Sequence, residues 1–174
     1  MRSAIALVSA LVVLALVTMA IIAKESQLAN GRLVYLELAP VDPRSLMQGD
    51  YMALRYKMQN DALAAIRKAT TTATTPGRAG SDRLATADGH IVTTVDGNFV
   101  ANYQRLHDTT PLATSEILLR YRVRNGQIQF ATNAFFFEEG TAKRYEPARY
   151  GAFRVAEDGE LLLSDLRDKD RRPL

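Results

Sequence analysis

Cysteine is missing from this chain of 174 residues, and only two histidines are present. Without cysteine there is no disulfide framework and no thiol chemistry, which suits a periplasmic domain without requiring one. His90 opens one strand-like run and His107 closes another. Neither has a cysteine or second histidine at ligand spacing, so no metal site is expected. Glycine-rich phosphate loops of the Walker or dinucleotide type are also missing, and no cofactor is implied. The net charge of +3 comes from interspersed signs, which gives no argument for nucleic acid as a partner.

Charge itself is absent from Ala4 to Ala23, twenty residues interrupted only by Ser9 and Thr18. As a helix this run spans about 30 Å, one hydrocarbon thickness. Arg2 precedes it and Lys24-Glu25 follows. A cleaved signal peptide is the competing reading, and Thr18-Met19-Ala20 passes a small-residue rule. Ile21-Ile22-Ala23 continues the apolar run past that point, so residues 1–24 are expected to form a single transmembrane signal anchor. Residues 25–32 then read as a linker ended by the Asn30-Gly31 turn, 33–166 as an extracytoplasmic domain, and 167–174 as a charged, frayed tail.

Within the domain the hydrophobic period is mostly two. Leu33 to Leu38 is β-prone, and Pro40 to Gly49 reads as an extended corner because Pro40 and Pro43 suit neither helix nor sheet interior. Tyr51 to Tyr56 follows as a strand, with Met52, Leu54 and Tyr56 on one face and Tyr51, Ala53 and Arg55 on the other. Leu33–Leu38 is expected to pair with it or lie beside it. Ala62, Leu63, Ala65, Ile66 and Ala69 recur at helical spacing, so a short amphipathic helix is expected over about 59–69, capped by Asn60 or Asp61. Residues 70–82, rich in Thr, Gly and Pro, read as a mobile loop.

The second half reads as a β meander punctuated by turn dipeptides. Asp88-Gly89, Asp96-Gly97, Asn125-Gly126 and Asp158-Gly159 each separate β-prone runs, and each dipeptide suits a hairpin. Around Asn125-Gly126 a two-residue loop predicts Val123 opposite Ile128, Tyr121 opposite Phe130 and Leu119 opposite Thr132. One face of that hairpin is then apolar. The other carries Arg120, Arg122 and Arg124, spaced about 6.5–7 Å apart, a secondary basic face for an acidic partner or lipid headgroups. Ala134 to Phe137 is too apolar to be exposed and is expected to fill the core or close a sheet end. Thr141 to Glu146 has room for one helical turn before Pro147. The expected fold is mainly β with minor α: one N-terminal transmembrane helix, then an antiparallel β meander or partly closed barrel-like domain with one or two short helices.

Gly49-Asp50-Tyr51-Met52-Ala53-Leu54-Arg55-Tyr56 fits the pattern that names the GDYXXLXY family, and Glu139-Gly140 leading to Tyr145-Glu146-Pro147-Ala148-Arg149-Tyr150 is similar to its second signature. The chain thus resembles a group of bacterial membrane-anchored proteins with no assigned biochemical function. The resemblance implies the bacterial inner membrane, with the C-terminal domain in the periplasm, and a multi-spanning membrane protein as partner. If the two motifs meet, Asp50, Tyr51, Arg55, Tyr56, Glu139, Tyr145, Arg149 and Tyr150 are the candidates for a ligand- or partner-binding cleft.

The enzymatic alternative is a membrane-anchored hydrolase. Leu46-Met47-Gln48-Gly49-Asp50 is similar to the L-x-x-G-D segment of type I signal peptidases. Those enzymes carry their serine five residues before that leucine, where this chain has Val41, and Ser45 stands at another position. A Ser–Lys dyad also needs a desolvated lysine, and Lys57 and Lys143 sit in polar settings. No catalytic residue is assigned, and the reading favours a non-enzymatic accessory or binding protein.

Overall fold

The computed structural model describes residues 2–39, 47–48, 51–72 and 86–174. Helix α1 (Arg2–Asn30) leads. The most apolar window within its Ile5–Asn30 portion has a mean hydropathy of 3.0 and none of it is buried, which makes this portion a candidate membrane span. The residues read as a linker continue this helix to Asn30. Tertiary contacts explain the extension. The Gln27 side-chain amide donates to the carbonyls of Arg154 at 3.1 Å and Glu160 at 2.9 Å. Lys24 Nζ lies 3.0 Å from a Glu160 carboxylate oxygen, and Arg154 donates to the Gly31 carbonyl at 3.1 Å. The last turn of α1 is therefore fastened to the domain rather than free in solvent.

Ten strands follow among the described residues: β1 (Arg32–Glu37), β2 (Met47–Gln48), β3 (Tyr51–Ala53), β4 (Thr86–Val95), β5 (Ala101–Leu106), β6 (Glu116–Arg124), β7 (Gln127–Gln129), β8 (Ala134–Phe136), β9 (Tyr150–Val155) and β10 (Leu161–Arg167). Helix α2 (Met58–Thr72) separates β3 from β4, and the single turn α3 (Ala142–Tyr145) separates β8 from β9. The strands form three antiparallel sheets, ordered β1-β9-β10, β2-β3-β8 and β5-β4-β6-β7. The mainly β architecture, with one sheet curled into a half-barrel, agrees with the fold expected from the strand periodicity.

The three sheets share one core. Tyr56, Phe130, Phe153, Leu36, Leu54, Ile91, Leu119 and Leu166 are fully buried in it. Backbone hydrogen bonds tie the sheets together: Tyr35 N–H donates to the Phe99 carbonyl at 2.7 Å, and Arg120 N–H to the Gly159 carbonyl at 2.8 Å. Along β6, Ile117, Leu119, Tyr121 and Val123 are buried while Arg120, Arg122 and Arg124 lie on the other face, as strand alternation requires. Helix α2 buries Met58, Ala62 and Ile66 against β5 and β7.

Several local expectations are corrected. Asp88-Gly89 is not a turn, because β4 runs straight through it. Asp88 pairs with Arg122 across the ladder, and Gly89 with Tyr121. A Cβ on Gly89 would come within 2.8 Å of the Tyr121 hydroxyl, so close approach rather than turn geometry explains this glycine. Asn125-Gly126 is the two-residue turn expected, with φ of 52° and 71° and Val123 opposite Ile128. The pairing stops at Gln129, so Tyr121–Phe130 and Leu119–Thr132 do not form. Phe130 turns into the core instead, and Leu54 N–H takes the Asn133 carbonyl at 2.7 Å, drawing the chain across to β3. Asp96-Gly97 does turn the chain, but in a wider loop. Asp96 Oδ1 accepts from the backbone of Asn98 and Val100, and Phe99 rather than the glycine takes positive φ. Asp158-Gly159 joins β9 to β10 in a loop closed by Ala156 and Glu160.

β1 pairs along its length with β9, and its C-terminal end lies beside the motif segment: Leu38 bridges to Tyr56, Ala39 N–H donates to the Arg55 carbonyl and Lys57 N–H to the Glu37 carbonyl. The cap of α2 is neither Asn60 nor Asp61. Gln59 reaches back, accepting from Tyr56 N–H at 2.9 Å and donating to the Ile128 carbonyl at 3.0 Å. Thr70 to Thr72 belong to α2, and the rest of the segment read as a mobile loop lies outside the described residues. The C-terminal tail is folded rather than frayed. Asp168 Oδ1 accepts from the backbone of Asp170 and Arg172, Leu174 N–H donates to the Leu166 carbonyl, and Leu174 packs on the core.

Candidate functional site

The first motif splits by strand parity. Met52, Leu54 and Tyr56 are buried at 2%, 2% and 1% exposure, on the inward face that alternation predicts. Tyr56 sits edge-on to Phe130 and Phe153, with centroids 6.2 and 5.6 Å away, and its hydroxyl donates to the Thr132 carbonyl at 3.1 Å. Burial pushes its pKa well above the ordinary tyrosine value. Such a phenol stays neutral and acts as a hydrogen-bonding core residue. Tyr51 lies half-buried on the outward side, its ring 5.8 Å from that of Phe136 across the β3–β8 ladder. Arg55 is exposed, and its carbonyl accepts from Ala39 N–H at 2.8 Å. Asp50 lies outside the described residues.

The second motif is also divided. Glu139 is exposed in the turn completed by Gly140. Tyr145 stacks on Phe137 at 5.3 Å, meets Phe135 edge-on at 5.0 Å, and has the Arg144 guanidinium 5.7 Å from its ring centre. Arg149 is exposed, and its guanidinium donates to the Ala148 carbonyl. Tyr150 leans on Tyr35 at 6.4 Å.

The two motifs are linked indirectly, through residues that belong to neither. Leu38 bridges to Tyr56 on one side and donates its N–H to the Arg149 carbonyl at 2.8 Å on the other. Tyr56 packs against Phe153, on the strand that follows the second motif. On the surface, Tyr51 and Tyr145 are joined through the aromatic strand between them. Tyr145 lines a recess with Phe136, Phe137, Glu138, Thr141 and Arg144. Phe136, expected in the core, is 74% exposed, because β8 is the edge partner of β3 and its parity turns Phe136 outward.

The basic face is unequal along its length. Arg124 grips Asp88 with two hydrogen bonds, at 2.7 and 3.2 Å, and this lowers the Asp88 pKa. Arg120 and Arg122 instead line a cleft of about 580 Å³ with Lys24, Gln129, Glu160 and the apolar Phe135 and Phe136. The sequence singled out Arg120 and Arg122 as part of a basic face, but not Lys24 or the apolar residues that complete this cleft.

Lys57, a candidate base in the hydrolase alternative, is an exposed residue paired with Glu37 at 3.1 Å. That solvated pair is the opposite of the desolvation a lysine base needs. His90 and His107 meet edge-on at 6.3 Å, and a His90 ring nitrogen lies 3.0 Å from the Asp158 carbonyl. Among the described residues no group of three or more His, Cys, Asp or Glu side chains is placed to hold a metal ion.

No curated protein and no solved structure matches this chain. The family model described as GDYXXLXY protein matches residues 13–166, which spans both motifs and most of the domain. The chain belongs to the GDYXXLXY family.

Proposed function

We propose that this protein is a membrane-tethered accessory or binding protein of the bacterial envelope. In this reading it lies in the inner membrane, with its β domain on the periplasmic side, and acts beside a multi-spanning membrane protein. The observation that carries the reading is the junction at Lys24 and Gln27. An uncovered apolar helix runs straight into side-chain contacts with β9 and the β9–β10 loop. A helix that only exported the domain would have no need of such fastening. Held this way, the domain keeps one face toward the bilayer, and tethering raises its concentration beside a membrane partner so that weak contacts suffice. The partner-facing surface in this reading is the aromatic ledge of Tyr51, Phe136 and Tyr145, with Arg55, Glu139, Arg149 and Tyr150 as its polar candidates. Exposed aromatic side chains are the common anchors of protein interfaces.

The test is cross-linking of the tagged full chain in intact cells, followed by an alkaline carbonate wash of the membranes and mass spectrometry of the captured material. The expected result is retention in the membrane pellet together with one multi-spanning protein. Release of the full chain by the wash would overturn the anchor, and capture of no membrane protein would overturn the accessory role.

A further inference from the structure

We propose that the cleft between α1, β6, β8 and β10 seats the anionic headgroup of a phospholipid from the bilayer that α1 enters, an inference resting on the anchored reading above. Charge is the first argument. The cleft is lined by three cations, Lys24, Arg120 and Arg122, and by one carboxylate, Glu160, which already lies 3.0 Å from Lys24. Among the described residues Arg120 and Arg122 have no carboxylate within ion-pair distance, whereas Arg124, next in the same row, is engaged by Asp88 and stays out of the cleft lining. Two guanidinium groups in one apolar-walled cleft suit a phosphate, because their forked donors match its oxygens.

Shape and position supply the other arguments. The lining also includes an apolar group, Phe135, Phe136 and Leu161 to Leu163. A cleft lined by both cationic and apolar side chains fits an amphiphile, with the headgroup on the arginines and the upper acyl chain on the rings. Lys24 is the first charged residue after the run from Ala4 to Ala23, so this side of the cleft opens where hydrocarbon gives way to water. Juxtamembrane basic side chains at that depth attract anionic lipid. Phe136, 74% exposed, is of a side-chain type that gains from contact with the interface.

The test uses the full chain reconstituted in nanodiscs of equal parts phosphatidylglycerol and phosphatidylcholine, with the lipids that remain bound on release counted by native mass spectrometry. The wild type is expected to retain phosphatidylglycerol in preference. Each cleft arginine is worth about fivefold in that preference, from about 1 kcal/mol per basic side chain near an anionic surface. R120Q/R122Q should therefore lose most of it and R122Q about fivefold, while R124Q, which removes one charge as R122Q does but outside the cleft, should keep it. Should the double variant fail to fold by circular dichroism, R122Q alone carries the test, since Arg122 is exposed and its loss leaves the core intact. Equal retention of both lipids by the wild type would overturn the proposal. So would an equal loss in R124Q, which would mean diffuse attraction, or an unchanged preference in the cleft variants. A carbonate wash of the same chain separates the two readings. Release from the membrane overturns both, whereas a pelleted chain without lipid preference overturns this one alone.

Discussion

Tyr51 and Tyr56 end the same six-residue segment, yet one lies at the surface and the other in the centre of the molecule. Tyr56 is 1% exposed, wedged between Phe130 and Phe153 with its hydroxyl satisfied by a backbone carbonyl. Tyr51 leans on the exposed ring of Phe136 at the edge of a three-stranded ribbon. The difference shows that the letters of one motif need not share one role. Leu54 and Tyr56 build the core that makes the domain possible, whereas Tyr51 sits on a surface where recognition has room to occur. A motif residue is thus a functional candidate only once its burial is known.

The comparison is broken most forcefully at Tyr56. Tyr56→Ala removes a fully buried ring and should destabilise the domain by about 3–5 kcal/mol, the usual cost of emptying a large aromatic site. Chemical denaturation of the full chain in detergent, followed by circular dichroism, measures it. Tyr51→Ala in the same assay should cost well under half as much, since its ring is only half-buried. Equal losses would erase the distinction between the two ends of the segment.

A milder change sharpens it. Burial raises the Tyr56 pKa, so the folded state holds the phenolic proton more tightly than the unfolded chain does. That contribution to stability is complete below the ordinary tyrosine value of about 10 and is lost as pH rises above it. Tyr56→Phe should therefore flatten the alkaline decline in stability, at a cost near neutrality of about 1–3 kcal/mol for the unpaired Thr132 carbonyl. Tyr103 and Tyr121 are also raised by burial, so the alkaline limb should shrink rather than vanish. A titration of the melting temperature from pH 7 to above about 10 decides it, and an unchanged slope would mean that Tyr56 does not titrate with folding.

How much of this was legible follows from which residues act locally. The inward face of Met52, Leu54 and Tyr56, the turn at Asn125-Gly126 and the apolar helix are properties of short stretches, and each was readable from its period or turn chemistry. Asp88-Gly89 misled because its glycine answers to Tyr121 on another strand, more than thirty residues away in sequence. Phe136 misled for the same reason: nothing in Ala134 to Phe137 states that β8 joins β3 with one ring outward. The two motifs were legible as residues but not as an arrangement, since the contacts that link them run through Leu38 and Phe153. The basic row of β6 was legible, but its assembly into a cleft with Lys24 was not, because Lys24 and β6 are distant in sequence.

Between core and surface stands the Asp88–Arg124 pair, which should give a smaller effect. Its hydrogen bonds hold the Asp88 pKa below the usual carboxylate range. The stability it adds is present above the unfolded carboxylate pKa and is lost as pH falls through the lower, folded value. Asp88→Asn should leave the domain folded at neutral pH and flatten the acid limb of its pH–stability curve. Both side chains are largely solvated, so the difference should shrink with added salt. An acid limb identical to wild type would show that the pair contributes nothing measurable.

The smallest effect on stability is expected at Phe136, and there a null result is informative. The ring is 74% exposed, so Phe136→Ser removes little buried surface and should move stability by no more than about 0.5 kcal/mol. A loss several-fold larger would mean that the ring packs in the folded chain as Tyr56 does, and the contrast between the two ends of the motif would weaken. If stability holds while capture of a membrane partner falls, the outward half of the motif is separated from its inward half by experiment. Tyr56→Phe supplies the reciprocal control, since it leaves the ledge untouched and should alter alkaline stability while leaving capture intact. The two substitutions together separate packing from recognition within one sequence motif, because each is read out where the other is silent.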